Sequence, residues 1–133
     1  VYVSADAHYS YEKAIHIAGL GIDHLRKVKV DSTGAMDPII LKEMIREDVG
    51  LGFKPLMIGA TAGTTVLGAF DPLVEINKVA REFNIWLHID AAWGGGAILS
   101  ETHRHLLKGI HLADSVTIDA HKTLSTGLIT SFI

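Results

Sequence analysis

Two stretches of this 133-residue chain join an apolar run to side chains that can do chemistry. The first is Ser115-Val-Thr-Ile-Asp-Ala-His-Lys122, in which a β-branched run leads into a polar cluster that ends on lysine. The second is Trp86-Leu-His-Ile-Asp90, which ends on a carboxylate and continues into small residues and glycines. Each run predicts a buried strand, so the polar groups would lie at the carboxyl ends of strands, where open α/β sheets bind ligands.

Lys122 and Asp90 indicate a specific chemistry only when they are considered together. A partly desolvated lysine can attack a carbonyl carbon as the neutral amine, but a lysine after a strand is more commonly a solvated loop residue. Pyridoxal phosphate needs both a lysine to hold its aldehyde and a carboxylate to keep its pyridine nitrogen protonated. The pair therefore predicts pyridoxal phosphate as the cofactor. Without a cofactor, Asp90 would need an arginine or a helix amino terminus as partner, since an unpaired carboxylate at the end of an apolar strand is costly.

The other polar residues near these strands each allow two interpretations. His88 lies two residues before Asp90, on the same side of a strand, and either orients Asp90 or is a hydrogen-bonded core histidine. His8 follows a predicted strand, and its imidazole either lies against an aromatic ring or is an ordinary exposed loop histidine. The threonines at 61, 64 and 65 either offer hydroxyls to a ligand or cap a turn.

Composition excludes several classes of function. A net charge of -3 with 20% charged residues provides no basic surface for nucleic acid or membranes, so a small-molecule partner is expected. The chain has no cysteine, which excludes disulfides and thiolate metal sites. His103, His105 and His111 lack a shared helix face and a completing ligand, so no metal site is expected. The absence of a signal peptide or a long apolar run favours a soluble cytoplasmic protein.

Strands and helices are predicted to alternate along the chain, which favours a mostly parallel sheet with flanking helices. Asp37 and Asp71 each precede a proline, and Ser100 precedes Glu101, so each is predicted to cap a helix. Gly94–Gly96 predicts close backbone approach. The predicted strands are 1–4, 25–30 (near the sheet edge), 55–59, 85–90 and the run from 115; the predicted helices start near 10 and span 38–47, 72–83 and 101–108.

Both ends of the chain lie in apolar runs, Val1–Ser4 and Leu128–Ile133, whereas domain termini usually lie in polar segments. We therefore expect the chain to be an internal piece of a longer polypeptide.

Five motifs, in this order and spacing, resemble the group II pyridoxal phosphate-dependent amino acid decarboxylases. This family includes the glutamate, cysteine sulfinate, aromatic amino acid and 2,4-diaminobutyrate decarboxylases. The resemblance extends over nearly the whole chain. The motifs are Ala7-His-Tyr-Ser10, Asp31 with Gly34 and Met36-Asp-Pro38, Ala60-Thr61 with Gly63-Thr-Thr65, His88-Ile-Asp-Ala-Ala92, and Ser115 leading to His121-Lys122.

The resemblance implies a role for each of six residues. Lys122 matches the lysine that carries the cofactor, and Asp90 matches the partner of the pyridine nitrogen. His8 matches an imidazole stacked on the cofactor ring, so the predicted catalytic residues are Lys122 and His8. The other cofactor contacts implied are Thr61 near the ring oxygen, Ala92 on the opposite ring face, and His121 near the cofactor phosphate.

The resemblance also implies an architecture and an activity. Residues 1–133 would form the central part of the large domain of a fold-type I enzyme, a homodimer with active sites at the subunit interface. The reaction would convert an L-amino acid to an amine and carbon dioxide, and Trp93-Gly-Gly-Gly96 favours an acidic substrate such as glutamate. The alternatives are another enzyme of this cofactor, an aminotransferase or lyase, and a non-catalytic fragment. Two residues depart from the family pattern: Asp119, where many relatives have asparagine, and Thr123, where an apolar residue is common.

Overall fold

The computed structural model describes residues 1–133 and contains one six-stranded sheet with the strand order β2-β1-β3-β4-β5-β6. The first five strands are parallel, and β6 runs antiparallel to β5. This topology confirms the predicted mostly parallel sheet and the edge position of β2. The strands are β1 (Tyr2–Ser4), β2 (Arg26–Val28), β3 (Met57–Thr61), β4 (Trp86–Asp90), β5 (Ser115–Asp119) and β6 (Ser131–Phe132).

Three α-helices connect successive parallel strands, as the alternating pattern predicts: α1 (Ser10–Ile17), α2 (Pro38–Gly50) and α3 (Leu73–Glu82). The short helix α4 (Ala120–Thr123) follows β5. Four short 3-10 segments complete the chain, at Ile22–His24, Gly94–Leu99, Arg104–Leu107 and Ile110–Leu112. No helix combines the length and the apolar character needed to cross a membrane.

The hydrophobic core lies on one face of the sheet, under α2 and α3. Alternate residues of the central strands are fully buried there, including Ile58, Leu87 and Ile89. They belong to the same apolar cluster as Leu41 of α2 and Ile76 of α3. Burial of each such side chain contributes about 1.5–3 kcal/mol, and period two leaves the neighbouring strand residues on the opposite face.

The two Asp-Pro pairs have different structural roles, although their sequences are identical. The Asp37 carboxylate caps α2 as predicted, because Oδ1 accepts hydrogen bonds from the amides of Ile39 (2.8 Å) and Ile40 (3.3 Å). The same prediction for Asp71 is wrong, since α3 has no side-chain cap. Asp71 is instead buried, and its two oxygens accept from the amides of Met36 and Thr61, each at 2.7 Å. It thereby ties the loop before α2 to the carboxyl end of β3.

The helix predicted between Glu101 and Lys108 does not form. This segment forms turns and the 3-10 segment Arg104–Leu107 instead of an α-helix. The Ser100 hydroxyl accepts from the His103 amide at 3.2 Å, so the capping interaction forms, but the helix does not propagate. Histidine and threonine are weak helix formers, and Gly109, with φ of 97°, ends the segment within one further turn.

Replacing Asp71 with alanine is expected to lower the free energy of unfolding by about 2–4 kcal/mol, because two buried amides lose their acceptors. Asp37→Ala is the matched control, since it removes the aspartate of the other Asp-Pro pair and costs only about 1 kcal/mol for a lost cap. Denaturant unfolding of the two variants measures the difference. Equal losses would show that the Asp71 contacts contribute no more than a surface cap.

The contribution of Asp71 should also depend on pH. Burial raises the pKa of Asp71 to about 6 from the ordinary value of 3.8, against the lowering effect of the two amide hydrogen bonds. The native state therefore holds this proton more tightly than the unfolded chain does. The stabilisation is fully present below pH 3.8 and is lost as the pH rises through about 6. The difference in the free energy of unfolding between the wild type and Asp71→Ala should therefore decrease as the pH rises from 3.8 to about 6.

Candidate active site

A cavity of about 500 Å³ lies over the sheet face opposite the core, at the carboxyl ends of the strands. Strand register aligns its polar residues, because Thr61 of β3 pairs with Asp90 of β4, and Asp90 pairs with Thr117 of β5. Five of the six residues predicted to form the site line this one cavity: Lys122, Asp90, His8, Thr61 and Ala92.

Lys122 lies in the short helix α4, and its amine is held by a carboxylate. The Nζ atom is 2.9 Å from Oδ2 of Asp119, whose Oδ1 accepts a hydrogen bond from the Ser131 hydroxyl at 2.6 Å. Burial alone would raise the pKa of Asp119, but hydrogen bonds from Ser131 and Lys122 outweigh it and hold the pKa below its ordinary value. Asp119 is thus an ionised side chain that forms an ion pair with Lys122.

His121 is the one predicted site residue that does not line the cavity. Its Nδ1 is 3.0 Å from the carbonyl oxygen of Thr130, and its Nε2 is 3.9 Å from Oδ2 of Asp119. The contact with Thr130 joins α4 to the segment before β6. The predicted position of His121 near a cofactor phosphate stays a prediction.

Asp90 has no cationic partner within the chain. Its Oδ1 accepts a hydrogen bond from the Ala92 amide at 3.0 Å, while Oδ2 makes no hydrogen bond. The arginine or helix terminus considered as an alternative partner is therefore absent. The Oδ2 atom of Asp90 is therefore free to interact with a ligand in the cavity.

His88 is hydrogen-bonded to the neighbouring strand and makes no direct bond to Asp90. Its Nδ1 is 2.8 Å from the Ser115 hydroxyl, and its Nε2 is 3.4 Å from the Thr117 hydroxyl. Burial lowers the pKa of His88, and the nearby Asp90 opposes the shift only in part. These contacts match the interpretation of a hydrogen-bonded histidine better than that of a direct support for Asp90.

His8 is presented to the cavity by the loop between β1 and α1. Its Nδ1 is 2.9 Å from the Ser10 hydroxyl, and its ring centre is 4.2 Å from that of Tyr9. Ser10 is the first residue of α1, and the cap position at Tyr9 makes no side-chain hydrogen bond. The Ser10 hydroxyl is instead bonded to the imidazole of His8 and positions it.

Thr61 tests whether the cavity fits the predicted cofactor. Its side chain is buried, lines the cavity, and leaves Oγ1 without any hydrogen-bond partner. By contrast, Thr64 Oγ1 accepts from the Ala69 amide at 3.0 Å and so caps a turn. An unpartnered buried hydroxyl costs about 1–3 kcal/mol, which a ligand oxygen would recover. Together with a half-free carboxylate and a lysine, this orphan hydroxyl fits pyridoxal phosphate.

The glycine run after β4, Gly94–Gly96, packs closely against neighbouring segments of the site. A Cβ on Gly94 would overlap the carbonyl oxygen of Ala62, and one on Gly95 would be 2.8 Å from Cγ1 of Ile118. A Cβ on Gly96 would overlap the Thr123 hydroxyl, next to Lys122. The prediction of close backbone approach is confirmed. The absence of side chains here lets the segment that follows Asp90 pack directly on the segment that carries Lys122.

Sequence reasoning missed Tyr11, which also lines the cavity. It lies in the first turn of α1, three residues after His8, which is in the preceding loop. The sequence pattern gave no indication that this side chain faces the site.

Comparison with known proteins decides the family. The model of the pyridoxal-dependent decarboxylase conserved domain matches residues 1–133. The chain belongs to the pyridoxal-dependent decarboxylase family. This confirms the predicted family, its cofactor pyridoxal phosphate, and the fold-type I architecture.

Individual members of the family are also similar to the chain. Human cysteine sulfinic acid decarboxylase is 49% identical over 128 residues, which is 96% of this chain and 26% of that protein. An L-aspartate decarboxylase of Metarhizium robertsii is 44% identical over 133 residues, which is 100% of this chain and 26% of that protein. The crystal structure of mouse CSAD superposes with a TM-score of 0.96 at 48% identity, over 98% of this chain and 27% of that one. The chain thus spans about a quarter of the length of these decarboxylases.

Proposed function

We propose that this chain is the central part, residues 1–133, of the cofactor-binding large domain of an enzyme that decarboxylates an L-amino acid with pyridoxal phosphate. The observation that carries the proposal is the presence of Asp90 and Lys122 on the wall of a single cavity, beside the unpartnered Thr61 hydroxyl. The resemblance further implies that the complete protein is a homodimer. Its cytoplasmic location stays a prediction.

The family resemblance and the chemistry of the side chains together assign the roles of the residues. Lys122 would hold the cofactor by its aldehyde, and its amine could then move a proton. Asp90 would keep a proton at the pyridine nitrogen, and Thr61 would donate a hydrogen bond to the cofactor. His8 and Ala92 would lie against the cofactor ring. When bound, pyridoxal phosphate supplies a ring that accepts the electron pair left as the substrate's α-carboxylate departs as carbon dioxide.

The acidic substrate favoured by the Trp93–Gly96 motif gains support from the names of the two relatives described above, which act on cysteine sulfinate and on aspartate. We therefore propose an acidic amino acid as substrate. Assays with aspartate, glutamate and cysteine sulfinate, each against tryptophan, test this choice. A preference for tryptophan would reject the acidic class and leave the decarboxylase proposal intact.

Covalent trapping tests the attachment site. The complete protein is loaded with pyridoxal phosphate, reduced with borohydride, and digested, and the labelled peptide is mapped by mass spectrometry. We expect the label on Lys122, since this is the lysine on the cavity wall. A label on another lysine, such as the exposed Lys78, would reject the assigned mechanism.

Product analysis separates the decarboxylase from the other enzymes of this cofactor. Decarboxylation breaks the bond between the α-carbon and the carboxylate, and a proton takes the vacated position, so amine and carbon dioxide form in equal amounts. A keto acid as the main product would instead indicate an aminotransferase.

A further inference from the structure

The Tyr11 side chain combines a cavity-lining position with a buried hydroxyl that has no hydrogen-bond partner. It is the second such hydroxyl in the cavity wall, after that of Thr61. The Tyr11 ring lies edge-on to the His88 ring, with ring centres 6.5 Å apart. A buried polar group without a partner is costly, so its retention beside the site calls for a reason.

Gly59 of β3 makes the room for this ring. A Cβ added at Gly59 would lie 2.7 Å from Cε1, Cζ and Oη of Tyr11, which is too close for any side chain. The backbone of Gly59 has no positive φ, so glycine is not required there by conformation. Its lack of a side chain therefore serves the close approach of the Tyr11 hydroxyl to the strand.

Strand register puts this hydroxyl near Asp90. Gly59 pairs with His88, and Thr61, two residues further along β3, pairs with Asp90, so Tyr11 packs over the strand position next to that of the carboxylate on the same face of the sheet. Burial, followed by the negative charge of Asp90, raises the pKa of Tyr11 far above its ordinary value. The phenol is thus a donor at any working pH. Asp90 has an unoccupied acceptor in Oδ2.

We propose that Tyr11 is a positioning residue for Asp90: its hydroxyl donates a hydrogen bond to the Asp90 carboxylate, directly or through one enclosed water, when the cofactor fills the cavity. The donated bond would stabilise the ionised carboxylate and fix its orientation toward the cofactor. This inference rests on the proposed binding of pyridoxal phosphate and adds Tyr11 and Gly59 to the groups that control it.

The test measures cofactor affinity and stability separately in the complete protein. Tyr11→Phe keeps the ring over Gly59 and removes only the hydroxyl. We expect the dissociation constant of pyridoxal phosphate to rise about tenfold, the lower end of the range for a hydrogen bond to a charged group. The melting temperature of the cofactor-free protein should stay the same or rise, because an unpartnered hydroxyl has been replaced by an apolar edge. The chemical shift of the isotopically labelled ring nitrogen in the bound cofactor should also change.

Tyr9→Phe is the matched control, since Tyr9 is exposed and its ring contact with His8 is kept. A second variant, Gly59→Ala, displaces the Tyr11 ring and should weaken cofactor binding to a similar extent. In the Tyr11→Phe background, Gly59→Ala should weaken cofactor binding little further, because the hydroxyl that it displaces is already absent.

Three outcomes overturn the inference. The first is an affinity in Tyr11→Phe equal to that of the wild type and Tyr9→Phe, and the second is full additivity of the two substitutions. The third is a fall in the melting temperature of the cofactor-free Tyr11→Phe protein, which would indicate a packing role. If the wild type itself binds no pyridoxal phosphate, the proposed function fails along with this inference; if it binds and the Tyr11 variants do not differ from it, only the inference fails.

Discussion

Replacing Lys122 with arginine is expected to lower kcat for decarboxylation by at least about 10³-fold, because a permanently charged guanidinium can neither attack the cofactor aldehyde nor exchange protons in its place. Arginine is chosen because it keeps a positive charge beside Asp119, which Lys122 contacts at 2.9 Å. The loss of activity should then occur without loss of the fold. Steady-state kinetics of the complete protein, with its melting temperature, measures both.

Lys78→Arg is the control for this experiment, since Lys78 is exposed on α3, which packs on the sheet face opposite the cavity, and makes no ion pair. It should retain wild-type activity. Trapping with borohydride should label the control and leave Lys122→Arg without a label. Retention of more than a tenth of the wild-type kcat by Lys122→Arg would show that Lys122 is not the lysine that carries the cofactor.

Replacing Asp90 with asparagine is expected to weaken cofactor binding and to lower kcat, each by roughly 10²-fold, since a neutral amide cannot form a charge-assisted hydrogen bond with a protonated ring nitrogen. Asparagine is nearly the same size, and its carbonyl can still accept from the Ala92 amide, a bond of 3.0 Å in the wild type. The loop after β4 should therefore keep its conformation. Cofactor titration and kinetics on the same preparation separate the two effects.

The control for this carboxylate is Asp23→Asn, which removes an exposed charge near the amino ends of the strands, at the other end of the sheet. It should change neither affinity nor kcat. If Asp90→Asn behaves like Asp23→Asn, the carboxylate has no part in holding the ring nitrogen, and the case for the site rests on Lys122 alone.

The ion pair between Asp119 and Lys122 bears on the first of these predictions. The Asp119 carboxylate places an additional anion on the cavity wall. In the structure that anion contacts the amine and not open solvent, with Ser131 on its other oxygen. The lysine amine is thereby oriented before any cofactor arrives.

Much of the architecture followed from local pattern. Alternating apolar strands and amphipathic helices predicted the parallel sheet, because each element must bury one face on its neighbours. Asp90 and Lys122 follow strands that are parallel, and the carboxyl ends of parallel strands lie at the same edge. Their convergence on one cavity could thus be expected from the sequence, and the spacing of the five motifs was enough to predict the family.

Other features depended on contacts between residues distant in the chain. Asp37 and Asp71 occur in identical dipeptides, yet only Asp37 caps a helix, since Asp71 is buried where two loops meet and bonds to Met36, 35 residues away. Local propensity is a weak preference of a fraction of a kcal/mol per residue, and tertiary contacts such as these override it. The helix predicted before Gly109 failed for a local reason instead, since weak helix formers and the positive φ of Gly109 left only the 3-10 segment Arg104–Leu107.

The amino-acid sequence by itself determined the family, the cofactor chemistry and the strand ends at which Asp90 and Lys122 lie, because these depend on residue types and short-range spacing. Only the tertiary structure decided which other groups face the cavity. Tyr11 and Gly59 lie 48 positions apart and no periodicity connects them, yet a Cβ on one would overlap the ring of the other. A contact of that kind arises from the packing of a helix on a sheet, which the order of residues does not display.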